Sequence, residues 1–294
     1  MQFFLHASHS SQALEFFDPL LHGLLETVKA IPFLFIAYLL MEFIEHKASD
    51  KMEQTLGKIG KGGPFIGSLL GCVPQCGFSA TASNLYTAGI VTEGTLIAVF
   101  LATSDEAIPV LISSPEAHGS IWKLILAKIV IGVAIGFSLD IALKLLKIKK
   151  CPVDLCEDCG CEDEEGILKP ALTHTLKTSA FILIVNLLLE YAMFFIGSDV
   201  IDKLLLSGHY AQPFITAVLG LIPNCAISTA ITTLYVNGSL SFGAAISGLC
   251  SGAGVGLAVL LKTNPIKKEN IRIILTLFLS SSLIGFFLML FGIN

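Results

Sequence analysis

Gly71-Cys-Val-Pro74-Gln-Cys76-Gly-Phe-Ser79 and Gly220-Leu-Ile-Pro223-Asn-Cys225-Ala-Ile-Ser228 are one pattern written twice, 149 residues apart. The register holds without a gap through Leu85/Leu234, Tyr86/Tyr235, Gly89/Gly238, Gly94/Gly243 and Ile97/Ile246, and Gln75 and Asn224 share a side-chain amide. Upstream, Thr27, Lys29, Phe33, Leu39, Leu40 and Glu42 recur at an offset of 148 as Thr175, Lys177, Phe181, Leu187, Leu188 and Glu190. Downstream, Gly136-Phe137 recurs as Gly285-Phe286. Self-similarity at a fixed spacing over such a length marks an internal duplication. It divides the chain into a lead-in (1–19), a first copy (20–149), a linker (150–168) and a second copy (169–294).

The solvent for both copies is lipid. Of 294 residues 54% are hydrophobic and 14% charged, where a soluble domain carries about 25% charge, and the mean hydropathy is +0.79. A net charge of −5 with a single arginine, Arg272, offers no basic surface for phosphates, which excludes nucleic-acid partners. The lead-in has no Lys or Arg ahead of its apolar residues and no clear cleavage site, so it reads as an amphipathic approach, not a signal peptide. Apolar runs cover residues 28–45, 64–112, 121–146, 178–197, 213–261 and 271–292. Most reach the roughly 20 residues that a bilayer crossing needs, and without barrel-like alternation they must be helices.

Lys and Arg set the orientation. Lys47, Lys51, Lys58 and Lys61 mark the first connection as cytoplasmic, 113–120 holds no Lys or Arg, and Lys144, Lys147, Lys149, Lys150 and Lys169 mark the linker as cytoplasmic. In the second copy the pattern reverses: 198–212 holds only Lys203, while Lys262, Lys267, Lys268 and Arg272 follow the long run. Equivalent loops therefore face opposite sides, as in inverted-repeat transporters. The expectation is an all-α polytopic protein of two inverted repeats with an extracytoplasmic N-terminus. The long run of the first copy should divide at about 64–73, 77–89 and 94–112, with breaks at 71–77 and, in the second copy, 220–225. The first two pieces are too short to span about 30 Å, so a re-entrant hairpin, or alternatively short tilted spans, should bring each broken helix to the bilayer midplane.

A helix broken at membrane depth leaves N–H and C=O groups that only protein or a watery cavity can satisfy. Pro74, Gln75, Cys76, Ser79, Pro223, Asn224, Cys225 and Ser228 are therefore the candidate substrate ligands, with soft thiols for soft metals or metalloids and amide and hydroxyl oxygens for harder ions. Asp105 and Glu106 join them, because an intramembrane carboxylate must face a cavity, bind a cation or keep its proton. The second copy has Gly254-Val255 in their place, so one half supplies charge. Glu42 and Glu190 are weighed evenly between solvation and function. In the linker, Cys151, Cys156, Cys159 and Cys161 among seven acids read as metal or metalloid ligands in a reducing cytoplasm, although the spacing is not that of a standard zinc finger. His6 and His9 read as surface residues. No Walker loop or nucleophile elbow is present, which argues against a primary pump or hydrolase; neither an enzyme nor a required cofactor is expected.

At Gly71-Cys-Val-Pro-Gln-Cys76 with Ala102-Thr-Ser-Asp-Glu-Ala-Ile-Pro-Val-Leu111, and at Gly220-Leu-Ile-Pro-Asn-Cys225 with Thr232-Thr-Leu-Tyr235, the chain resembles a bacterial family of ten-span heavy-metal exporters. Members are labelled arsenic efflux proteins or manganese transporters, and the family is distantly similar to the arsenical permeases. The resemblance covers nearly the whole chain. It implies export of a heavy-metal ion or metalloid across the cytoplasmic (inner) membrane, with proton or ion coupling. The partners are then the bilayer and the transported species, and a homo-oligomer is compatible. Relatives often carry Gly between Pro and Cys, where Gln75 and Asn224 stand here. Two other classes fit the residues: a transporter of a small organic or anionic substrate, and a membrane-bound metal sensor.

Overall fold

Pro64 and Pro213 each open a short helix at its first turn, where the missing N–H costs nothing. The computed structural model describes residues 62–73, 76–103, 107–113, 118–146, 168–196 and 210–292, with most positions between 20 and 39. Among them the ordered elements are all helices. The first copy holds α1 (Gly63–Gly71), α2 (Cys76–Thr87), α3 (Glu93–Ala102), α4 (Ala107–Ser113) and α5 (His118–Leu145). The second holds α6 (Leu168–Ile196), α7 (Gln212–Gly220), α8 (Cys225–Val236), α9 (Phe242–Ser251), α10 (Val255–Thr263) and α11 (Lys267–Leu290). The described positions between 20 and 39 are also helical and precede α1 as α6 precedes α7.

The boundaries of α1, α2 and α3 recur in α7, α8 and α9 at an offset of 149 residues at both ends. Local chemistry recurs with them. Both α2 and α8 end on a left-handed glycine, Gly89 at φ 76° and Gly238 at φ 73°. In each, the next N–H reaches back five residues, Ile90 to Leu85 and Ser239 to Leu234, both at 2.9 Å, which is the Schellman termination. The next helix then starts on a hydroxyl cap: Thr95 N–H donates to Thr92 Oγ1 at 3.1 Å and Ala244 N–H to Ser241 Oγ at 3.2 Å.

The sequence led us to expect one segment over 94–112. The structure corrects this: α3 stops at Ala102 and α4 begins at Ala107. The matching interruption in the second copy lies between Ser251 and Val255, where Gly254 takes φ 54° and ψ −148°. Each copy therefore has two breaks.

Small residues allow the close packing. Gly63, Gly67 and Gly71 of α1 lie in turn against Thr95, Val99 and Ala102 of α3, so the two helices run parallel, while Gly132 and Gly136 of α5 meet Ala98 and Gly94 in antiparallel order. The second copy repeats this with Gly220 on Gly248 and Ser251, and Gly285 on Gly243 and Ser247. The copies interlock through α3 on α9, α2 on α10 and α4 on α8. The helical residues before α1 lie antiparallel on α6: Gly23 faces Leu187 and Asn186, while Tyr38 stacks on His174 and bonds Thr178 Oγ1 at 2.6 Å.

Four stretches are long and apolar enough to cross a membrane: Ile121–Leu145, Ala171–Leu188, Phe242–Thr263 and Lys267–Leu290. The third, made of α9 and α10, is 83% buried against 22–33% for the others, so it forms the core and they form the rim. On α5 the exposed residues Trp122, Leu126 and Val130 recur every fourth position, an apolar stripe suited to lipid. The chain is a multi-pass helical membrane protein.

Candidate functional site

Because α1 and α3 run parallel and Gly71 lies against Val99 and Ala102, the two breaks of the first copy, 72–75 and 103–106, follow helices that end at one level. The second copy is arranged alike, with Gly220 against Gly248 and Ser251 just before 221–224 and 252–254. A helix of ten residues rises about 15 Å, half a hydrocarbon core of about 30 Å. Its end exposes carbonyls that carry part of the helix dipole's negative charge.

Lys128 joins the two copies at these ends. It projects from α5, is fully buried, and donates from Nζ to the carbonyl of Thr103 and, at 2.7 Å, to that of Leu249. Thr103 is the C-cap of α3, and Leu249 lies in the last turn of α9. Burying an ammonium costs several kcal/mol after relaxation; charge-assisted bonds to two helix C-terminal ends offset that cost. Two thiols lie at neighbouring positions: Cys72, the half-buried C-cap of α1, and Cys250, fully buried and next to Leu249 in the chain. The backbone here also uses neutral caps. Thr103 Oγ1 donates to Val99 O at 2.8 Å and Ser251 Oγ to Gly248 O at 3.0 Å.

A second polar cluster lies at the other end of α3. Arg272 of α11 grips both oxygens of Glu93, with Nε to Oε1 at 2.7 Å and Nη2 to Oε2. The Tyr86 hydroxyl lies 2.9 Å from Glu269 Oε2 and 3.3 Å from Glu93 Oε2, and its one proton serves one of them at a time. Asn264 Nδ2 donates to Glu269 Oε2 at 3.3 Å and to Asn270 Oδ1 at 2.8 Å. Nearby, Asp140 of α5 accepts from Thr92 Oγ1 at 2.7 Å and from Gly94 N–H at 2.9 Å.

Of the residues expected to bind substrate, Pro223 and Asn224 lie in the break between α7 and α8. Pro223 is half-buried, Asn224 is buried, and the Asn224 N–H donates to Ile222 O at 2.7 Å. Ser79 is fully buried on α2, its backbone against Gly256 of α10, and its carbonyl accepts from Ser83 Oγ at 3.0 Å. Ser228, half-buried on α8, accepts on its carbonyl from Thr232 Oγ1 at 2.7 Å. Cys76 and Cys225 are the first residues of α2 and α8; their side chains, like that of Glu190, are outside the described set. Pro74, Gln75, Asp105, Glu106, Glu42, His6, His9 and the linker cysteines Cys151, Cys156, Cys159 and Cys161 also lie outside the described residues. Among the described residues no three His, Cys, Asp or Glu side chains gather as a metal site.

Sequence reasoning missed Lys128, Cys72 and Cys250. A lysine inside the apolar run 121–146 was itself a signal, since an intramembrane cation is costly and faces a partner or cavity. Arg272 was read as a loop charge that sets orientation, and its partner Glu93, 179 residues away, had no local signature.

Neither a curated protein nor a solved structure matches the chain. Residues 174–292, from the second turn of α6 through the end of α11, match the family described as "Putative, 10TM heavy-metal exporter", the family that the paired Pro-Gln-Cys and Pro-Asn-Cys breaks resemble.

Proposed function

We propose that the protein is a secondary transporter that exports a heavy-metal ion or metalloid across the cytoplasmic membrane, coupled to protons or another ion. The substrate would be held where the breaks of the two copies converge. The observation that carries this reading is Lys128, a buried charge that ties the end of α3 to the end of α9, because interrupted helices meeting between repeats are where such transporters bind their ions. Pro74, Gln75, Cys76, Asp105 and Glu106 would line the site from the first copy, and Pro223, Asn224, Cys225, Ser79 and Ser228 would complete it.

Two contacts support opposite orientation of the copies. The helical residues before α1 and their equivalents in α6 pack antiparallel, Gly23 on Leu187 and Tyr38 on His174. Likewise Asp140, near the end of α5, meets Thr92 and Gly94, while the adjacent Glu93 meets Arg272 near the start of α11. Equivalent long helices thus approach the same turn from opposite ends. Reporter fusions at residue 155 and at the N-terminus should then give opposite sides of the membrane, and a shared side would undo the inversion.

The decisive experiment is flux. Purified protein in liposomes should move Mn2+, Cd2+ or arsenite down an imposed proton or sodium gradient. Movement of organic anions alone would replace the metal reading with the second transporter class, and metal binding without any flux would leave a sensor.

A further inference from the structure

We infer that Lys128 is a resident stand-in for the cargo: its ammonium occupies a cation site formed by the carbonyl ends of α3 and α9, and the transported species is a metal cation that displaces it. The inference rests on the transporter reading and narrows it, since a neutral metalloid hydroxide or an oxyanion has no reason to compete with an ammonium.

Three observations carry it. The first is occupancy: a positive group already sits against Thr103 O and Leu249 O, one from each copy. The ends of broken helices in transporters hold cations in the same way. The second is that the fold does not need a lysine there. Leu277 of α11, which stands 149 residues on from Lys128, is also fully buried, and neighbouring carbonyls are capped by the hydroxyls of Thr103 and Ser251. A lysine used only as a cap would be an expensive substitute for a hydroxyl. The third is the donor set. Carbonyl oxygens come from Thr103 and Leu249, Cys250 follows Leu249 directly, and Cys72 caps α1, whose last residue Gly71 lies against Ala102 beside Thr103; oxygen with sulfur close by in the chain suits a borderline divalent cation.

Lys128 can alternate with such an ion because its charge rides on a flexible four-carbon stem. With the ion absent the ammonium keeps the site compensated; with the ion bound it withdraws. Either way the converged ends carry a cation, so both the loaded and the empty carrier can change sides. Removing the lysine leaves a site that still loads but does not return empty.

The test compares the wild type with Lys128→Gln in proteoliposomes, using Mn2+ and Cd2+ as probes and arsenite as a neutral control. Without its internal competitor the variant should bind the better of the two cations about tenfold more tightly. It should retain cation exchange when the ion is present on both sides and lose about tenfold or more of net efflux into ion-free buffer. Arsenite binding should not change. A purely structural lysine would depress exchange and net efflux together, and that result overturns the inference while leaving the transporter reading intact. Loss of both in the wild type would instead remove the transporter reading and the inference with it. Should Lys128→Gln fail to fold, pulse acetylation of wild-type protein provides the same decision. Labelling at Lys128 should rise severalfold when Mn2+ or Cd2+ is bound, and labelling that ignores both ions overturns the displacement.

Discussion

Thr103-Ser-Asp105-Glu106 and Gly252-Ala-Gly254-Val255 are aligned at an offset of 149, directly after α3 and α9, yet one sequence is charged and the other is not. Lys128 and Leu277 are likewise aligned at that offset and equally buried, one charged and one apolar. The contrast repeats at the next level: Tyr86 lies beside the Glu93–Arg272 pair, whereas its equivalent Tyr235 meets the ring of Phe242, the counterpart of Glu93, at 5.9 Å. The two copies share a backbone but not their charges: Glu93 and Lys128 belong to the first, and Arg272 and Glu269 to the second. A doubled set would crowd like charges in one low-dielectric place, where their repulsion is least screened.

The comparison breaks most sharply at the acids. Asp105→Asn with Glu106→Gln removes the two carboxylates that the second copy lacks at this position, and metal flux in proteoliposomes should fall by about 100-fold or more with the protein still folded. Unchanged flux and pH dependence would mean that the asymmetry has no part in transport. Next is the ion pair. Arg272→Met strands the Glu93 carboxylate and should cost about 3 kcal/mol in a denaturation series, whereas Glu93→Gln with Arg272→Met should cost clearly less than the sum of the single changes. Additive losses would show that the two side chains do not act as a pair. Gly94→Ala and Gly243→Ala probe what the copies share. Each new methyl would meet the backbone of Gly136 or Gly285, at about 1–3 kcal/mol by thermal stability in detergent. The Gly94 change should be the worse, since it also disturbs Asp140. The smallest effect concerns the thiols that begin α2 and α8. Cys76→Ser and Cys225→Ser should lower Cd2+ transport about tenfold and Mn2+ transport little, and equal losses for both ions would show that the break, not sulfur, makes the site.

The first break of each copy is legible because its cause is local: Gly71 with Pro74, and Gly220 with Pro223, combine a weak helix former and a missing N–H within four residues of an apolar run. The second has a cue in one copy only. In the first copy no Gly or Pro stands between Ala102 and Ala107, so 94–112 reads as one apolar segment. In the second copy Gly252 and Gly254 are the cue, since both weaken a helix. The candidate site divides along the same line. Its Pro, Asn and Cys positions follow from repeat and chemistry, while Lys128 meets Leu249 across 121 residues, a contact that only the interlocking of α3 and α9 creates.

Gly254 limits how this protein can change. Its φ of 54° with ψ of −148° lies close to a region of backbone space that glycine alone occupies readily, at a cost of about 1–3 kcal/mol for any other residue. An aspartate at the position that aligns with Asp105 would therefore strain the turn it must make. A single base change can turn a glycine codon into an aspartate codon, but here the product would be a strained chain before it was a second charged site. The unequal charge of the two aligned positions is thus matched by an unequal backbone, and a second aspartate here would ask for the break itself to be rebuilt first.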